Sequence, residues 1–454
     1  MFDIVIENGK VVFPHRTSEV TLAIDDGTIV MIGSGSKMPK GEKTINARGK
    51  FVLPGGIDTH DHTGDGGVEN FYLGSQGQSW GGTTTAINFA LNGLRGVKEK
   101  SILMEESVMD YALHSIINNI TPDDHKSLDE IKEIIKYGVP SFKLFTVYGN
   151  PADDNTVLKV LEQCKVHGGI LCLHAENNSM IEYNIKTALK EGHKEAIYHA
   201  LTRPPVTEAE SVNMAICLSS LVGSPYLNVH LTIKEGVELI REARRRGGLV
   251  YGETCPHYLT RTEEDLRGPH GNYLICTPPF RTREHIEALW KGLADGTLSV
   301  VGSDSVPNTA TMKDGKTDFS QVPNGCPGKE FRLPILYSEG VVKRHISINK
   351  LSEFFSTNAA KIYGLYPQKG VIGIGSDADL VILDPKIEKT ITNDMQFFDT
   401  GYCVYEGMKV KGWPSTTVSK GQVIWEDGVF HGKRGSGKFL KRTLPKKLFT
   451  QLIA

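Results

Sequence analysis

SLDEIKEIIKYG (127–138) runs into VPSFKLFTVYG (139–149), and NTVLKVLEQCKVHG (155–168) runs into GILCLHAEN (169–177). In each pair a helix-like amphipathic segment precedes a short, almost continuously apolar one. The pattern repeats with SVNMAICLSSLVG (211–223) before SPYLNVHLT (224–232), and with EGVELIREARRRG (235–247) before GLVYGETCPHYL (248–259). Apolar strands alternating with amphipathic helices are what a parallel sheet covered on both faces requires. Six or more such units in one run favour a closed (β/α)₈ TIM-like barrel over an open sheet, here over residues 51–365.

The flanks have a different texture. DIVIENGKVV (3–12), TLAIDDGTIVMIG (21–33) and TINARGKFVLPGG (44–56) are short β-like runs separated by turn signals, and Asn8-Gly9 and Asp26-Gly27 both read as two-residue hairpin turns. The texture returns in GVIGIGSDADLVILDP (370–385) and TVSKGQVIWEDGVFHG (417–432). Residues 1–50 and 366–430 are therefore expected to combine into one small β-sandwich domain. The remaining tail, 431–454, interleaves Phe439, Leu440, Leu444, Leu448 and Phe449 with lysines. It has little core of its own to join, which predicts a subunit contact.

With 454 residues the chain can bury a large core without disulfides or structural metal. A net charge of −2 gives no footprint for nucleic acid, and the basic run Lys433–Lys447 reads as a solvated tail or subunit contact. No apolar run reaches the ~18 residues of a membrane span, and MFDIVIENGKVV does not read as a signal peptide. Seven cysteines, scattered singly and odd in number, argue against a disulfide framework and for a reduced, cytoplasmic protein. Cys255 and Cys276 read as buried apolar residues.

The chemistry concentrates at strand ends. In PGGIDTHDH (54–62), Phe51-Val52-Leu53 supplies a strand just before the glycines, and His60 and His62 are two apart, so on a strand they point the same way. His174 ends GGILCLH, His230 ends SPYLNVH and Asp304 follows LSVVGSD. One such histidine is ordinarily a hydrogen-bonded core residue. Two of them opening strand-to-helix loops beside an HxH pair read as ligands, a set that suits zinc and would accept manganese, iron or cobalt. Lys143, in SFKLF, shares a strand face with Ser141 and Phe145. A snorkelling or salt-bridged lysine is the ordinary reading. An inward ammonium, though, would enter a cationic cluster, where a neutral amine can instead take up CO₂ and become a bridging carbamate.

These segments, together with GGTTT (81–85), YGETCPHYL (251–259), PNGCPGKEFRLPILYSEGV (323–341) and STNAAKIYGLYPQKG (356–370), closely resemble the cyclic amidohydrolases, in the dihydropyrimidinase and hydantoinase branch, along nearly the whole chain. The resemblance implies two divalent ions. His60, His62 and Asp304 would hold one, His174 and His230 the other, with carboxylated Lys143 between them. It further implies a hydroxide bridging the metals that cuts a ring amide of hydantoin or dihydropyrimidine type to an N-carbamoyl amino acid. Asp304 would shuttle the proton, Tyr148 would donate to the oxyanion, and backbone groups of Thr277 and Asn324 would hold the ring. A structural turn is the competing reading of the last two. A homotetramer is also implied.

Three departures surround the substrate position: the glycine-rich TGDGGVENFYLGSQGQSWGG (63–82), SVPNT (305–309), and Thr277 where the branch usually has serine. The glycine-rich loop predicts tolerance of large 5-substituents. Asp61, Asp65 and Glu69 read as solvated loop charges or as contacts for a polar substituent. Allantoin or another cyclic ureide or imide is the alternative substrate. A dihydroorotase is disfavoured because Thr63 and Gly64 follow the HxH pair. A non-catalytic scaffold is disfavoured by the intact ligand set.

Overall fold

Eight parallel strands follow one another in chain order: β1 (Gly56–Asp61), β2 (Thr83–Ala90), β3 (Asp110–Ile116), β4 (Ser141–Phe145), β5 (Ile170–His174), β6 (Tyr226–Asn228), β7 (Val250–Thr254) and β8 (Val300–Val301). They come from a computed structural model of the chain, which describes residues 1–34, 40–65, 68–118 and 125–452. Each strand pairs in parallel with its predecessor. The seam between β8 and β1 closes where Asp304 N–H donates to His60 O at 2.9 Å, beside a parallel bridge from Asp61 to Ser305. The two outermost strands thus meet at two expected metal ligands.

Strand alternation sorts the barrel's core. On β5, Leu171 and Leu173 join the apolar layer under the helices, while Ile170 and Cys172 join the cluster that fills the barrel. His174 continues the second set. On β4, Phe142 and Leu144 belong to the helix layer, so Lys143 has the opposite, inward parity. The covering helices show the complementary stripe: Lys234–Arg245 buries Gly236, Val237, Ile240 and Ala243, which lie on one helical face.

The N- and C-terminal segments combine, as expected, in one nine-stranded mixed sheet. Asp26-Gly27 makes the hairpin between Thr17–Asp25 and Thr28–Gly33, both residues having positive φ. Asn8-Gly9 does not make one. Phe2–Val12 is a single strand whose register shifts between Ile6 and Gly9, with Asn8 at φ 60°. The left-handed signal was real, but it serves a β-bulge, and a Cβ on Gly9 would lie 2.6 Å from the Val52 side chain. Phe51–Pro54 also departs from the reading that it leads directly into the histidines. It pairs with Phe2–Val12 and Leu380–Thr390 in the mixed sheet, and a separate strand, β1, carries His60.

The C-terminal segment finds a core in its own barrel. Tyr111 N–H donates to Lys438 O, Leu440 N–H donates to Tyr111 O, and Leu444 and Leu448 are buried among Ile57, Ile170 and Leu227. Each such leucine contributes roughly 1.5–3 kcal/mol over its exposed state. Arg442 is buried, donating to Leu113 O and Ser141 Oγ. The reading of a tail without a core fails because its apolar spacing matches the open base of the barrel. Among the described residues no helix is long and apolar enough to cross a membrane.

Candidate metal centre

The expected ligands converge at the C-terminal mouth of the barrel. His60 Nε2 and His62 Nε2 lie 3.3 and 3.4 Å from the same atom, Asp304 Oδ1. His60, His230 and Asp304 offer ligand atoms all within 4.8 Å of one another. The His230 ring lies 5.4 Å from that of His60 and 4.3 Å from that of His174. Three site residues have left-handed backbones that non-glycine residues rarely adopt: Tyr148 (φ 79°), His230 (φ 38°) and Asp304 (φ 45°). Leu227 and Val229 face the barrel interior, so simple alternation would turn His230 away. Its positive φ breaks the alternation. Strain held at such positions is a mark of functional sites.

Each of three histidines is aimed by a carboxylate on its other ring nitrogen. Glu253 Oε1 lies 2.7 Å from His60 Nδ1, Asp65 Oδ2 lies 2.8 Å from His62 Nδ1, and Glu176 Oε2 lies 2.7 Å from His174 Nε2. Carboxylate partners of this kind fix the ring orientation and tautomer of a metal ligand. The fourth, His230, has a buried Nδ1 with no hydrogen-bond partner. Burial, with repulsion from His174 and Lys143, holds its pKa well below the ordinary value, so the ring is neutral and carries a lone pair. Burial disfavours the charged form of His62, but hydrogen bonds to Asp304 and Asp65 prevail and raise its pKa to about 9. Burial would raise the Asp304 carboxyl, yet His60, His62 and His230 hold it well below the usual range. A neutral buried imidazole without a partner and an ionised carboxylate shared by two more imidazoles fit a divalent cation. Binding would displace the His62 proton.

Lys143 is 1% exposed, with its ammonium over the rings of Phe89 (5.4 Å) and Phe145 (5.1 Å). Phe89 also packs against His60 and His62, which places the lysine in the same cluster. Burial lowers its pKa to about 8, against the attraction of Asp304 and Glu253. Tyr148, 39% exposed, meets His174 edge-on at 5.3 Å, and desolvation by the surrounding protein raises the phenol's pKa, with Arg203 opposing and Glu176 adding to the shift. Thr277 lies within hydrogen-bond reach of Tyr148, and its Oγ1 is 3.2 Å from His199 Nε2. Asn324 borders the same strip, since Gly325 N–H donates to Ile275 O. Its carbonyl accepts from Asn308 Nδ2 at 2.7 Å, while its own Oδ1 is buried without a partner.

Two of the three acidic residues between and after the histidines are not solvated. Asp61 is buried, accepting from Thr63 Oγ1 (2.7 Å) and Asn88 Nδ2 (2.7 Å). Glu69 is buried against Lys329, which also donates to Thr63 Oγ1 at 2.6 Å. Each has a specific partner far along the chain, which a local reading of loop charge misses. Asp65 alone is partly open, held by His62 and by Lys100 at 2.9 Å. Gly66 and Gly67 of the glycine-rich loop lie outside the described residues. Cys255 and Cys276 are buried, as read. Glu176 and Glu253 were quoted in their motifs without a role. A carboxylate two residues past His174 was a usable signal, whereas nothing local joins Glu253 to a histidine 193 residues away.

The amidohydrolase family model matches residues 51–424. The D-hydantoinase of Geobacillus stearothermophilus is 39% identical over 456 residues, covering 96% of each chain. The D-phenylhydantoinase of Escherichia coli is 34% identical over 454 residues, 97% of this chain and 98% of that one. The crystal structure of dihydropyrimidinase from Brevibacillus agri superposes with a TM-score of 0.93 at 36% identity, over 97% of this chain and 99% of that one.

Proposed function

The chain belongs to the amidohydrolase family, and from that premise we propose that it hydrolyses one amide C–N bond of a five- or six-membered –CO–NH–CO– ring, hydantoin or dihydropyrimidine in type, to an N-carbamoyl amino acid. The observation that carries the reading is the convergence of His60 and His62 on Asp304 Oδ1 beside a neutral His230 whose buried Nδ1 has no hydrogen-bond partner. In this reading His60, His62 and Asp304 would hold one divalent ion and His174 and His230 the other, with Lys143 as the shared residue; zinc would suit the donor set. Such a pair of ions supplies Lewis acidity and an acidified water.

The chain's own groups do the rest. Lys143, with a pKa of about 8, has a substantial neutral fraction near pH 7–8. Its Nζ lone pair forms a bond to the carbon of CO₂, a proton leaves to solvent, and the resulting carbamate offers two oxygens. Asp304, ionised and hydrogen-bonded at the seam, accepts the nucleophile's proton and returns it to the departing ring nitrogen. The Tyr148 phenol stays protonated across the working pH range and donates to the oxyanion that forms on the attacked carbonyl. Backbone groups at Thr277 and Asn324 hold the far edge of the ring. The seven free cysteines support a reducing cytoplasm, and the homotetramer belongs to the same reading.

Turnover of dihydrouracil, hydantoin, a 5-aryl hydantoin and allantoin by one metal-reconstituted preparation tests the assignment. Ring opening of the first three is expected, with the 5-aryl hydantoin well tolerated. Activity on allantoin alone would move the protein to that substrate. No activity on any ring, with both ions bound, would defeat the proposal.

A further inference from the structure

Two arginines lie end to end beside the His174 side of the site, and they are used differently. Arg281 is fully engaged: Nη2 donates to Glu208 Oε2 (3.0 Å), Nε donates to Thr232 Oγ1 (3.0 Å), and Nη1 donates to the carbonyl of Arg203. Its role is to fix the backbone on which Arg203 stands. Arg203 is buried as well, yet Glu176 engages it through one nitrogen only, Nη1 to Oε2 at 2.9 Å. Its Nε is buried without a partner, and so is the second oxygen of Glu176. A purely structural buried pair would be expected to use both forks, because an unmatched donor and acceptor each cost free energy.

Glu176 Oε2 is shared between Arg203 and His174 Nε2. By accepting the Nε2 proton it leaves His174 Nδ1 with the lone pair. Arg203 pins the same carboxylate oxygen, so the imidazole cannot turn without breaking a charge-assisted bond between buried groups. The same imidazole meets the Tyr148 ring edge-on at 5.3 Å. His60 has no such arrangement. Its carboxylate, Glu253, takes its remaining bonds from neutral donors, Thr59 Oγ1 at 2.5 Å and His230 N–H at 3.3 Å.

We propose that Arg203 is a positioning residue of the reaction, holding His174 in its ligand orientation through Glu176 and, through the His174 ring against which Tyr148 packs, seating the oxyanion donor as well, so that the second ion and Tyr148 depend on one guanidinium. The inference rests on the hydrolase reading above and adds to it a residue that touches neither metal nor nucleophile.

The test is metal content by elemental analysis after dialysis, with kcat and KM, on wild type, Arg203→Gln and Arg203→Lys. Arg203→Gln is expected to hold one ion per chain instead of two, with kcat lowered roughly 10–100-fold, the usual loss on removing a partner of a ligand, and KM little changed. Arg203→Lys keeps the buried charge and the fold. It is expected to retain both ions with kcat about tenfold down, because a flexible point charge holds the Glu176 carboxylate less rigidly than the planar guanidinium does. Two ions and wild-type kcat in Arg203→Gln, or wild-type kcat in Arg203→Lys should the glutamine variant not fold, would overturn the proposal. A wild type that binds no ions and opens no ring would instead defeat the hydrolase reading.

Discussion

Lys143 and Lys369 are each 1% exposed, and their surroundings could hardly differ more. Lys369, at the seam between barrel and mixed sheet, meets Asp379 (2.5 Å), Asp110 (2.9 Å) and Asp377 (3.0 Å). Burial would lower its pKa, but the three carboxylates push it well above the ordinary lysine value. Lys143, at the barrel mouth, lies over the rings of Phe89 and Phe145, and burial brings its pKa down to about 8. Burial alone therefore does not decide what a lysine does. A buried ammonium in direct contact with three carboxylates is a structural clamp, whereas one whose more distant carboxylates are outweighed by burial is poised to lose its proton and react.

The contrast breaks first, if it is wrong, at Lys143→Ala. Removing the proposed bridge should abolish nearly all turnover, a larger loss than the roughly 10–100-fold typical of removing a ligand's partner. The variant should stay folded, and short carboxylic acids should restore a little activity by supplying bridging oxygens. Wild-type rate and metal content in it would return Lys143 to the ordinary buried class. Asp304→Asn should come next, keeping the fold while lowering kcat by on the order of 10²–10⁴-fold, since an amide cannot carry the proton. Near-normal turnover would remove Asp304 from that role. Tyr148→Phe should cost kcat roughly 10²–10³-fold; a change in KM alone would make Tyr148 a binding group.

Lys369→Met sharpens the comparison from the other side. It should leave kcat per folded molecule unchanged while destabilising the fold by about 3–5 kcal/mol, read by denaturant unfolding, because three acidic groups lose their counter-charge. A raised lysine pKa contributes stability that is complete below the unfolded value and lost only as pH climbs through the folded one. The difference between variant and wild type should accordingly be flat from about pH 6 to 9. A kcat loss matching that of Lys143→Ala would erase the distinction between the two lysines.

Much of this was legible in sequence because side chains alternate along a strand, a rule that holds on β4 and β5 and fails at His230, where a positive φ interrupts it. The inward parity of Lys143 follows from Phe142 and Leu144, and His174 follows from Ile170 and Cys172. What escaped depends on where the chain returns. The pairing of His60 with Glu253 and of Glu69 with Lys329 spans 193 and 260 residues, and no local pattern reports it. Asn8-Gly9 carried a true signal for positive φ without saying whether it served a hairpin or a bulge. The C-terminal leucines read as docking on a neighbouring subunit, whereas Leu444 and Leu448 pack into the same chain's barrel base, a surface that exists only once the strands have closed.

The most direct test of the account is a labelling measurement on the metal-loaded protein. Equilibrated with ¹³C-bicarbonate, wild type should show one carbamate carbon per chain by ¹³C NMR, and Lys143→Ala should show none. A wild-type protein that opens hydantoin or dihydrouracil rings with no labelled carbamate would contradict the claim that Lys143 is the reactive lysine.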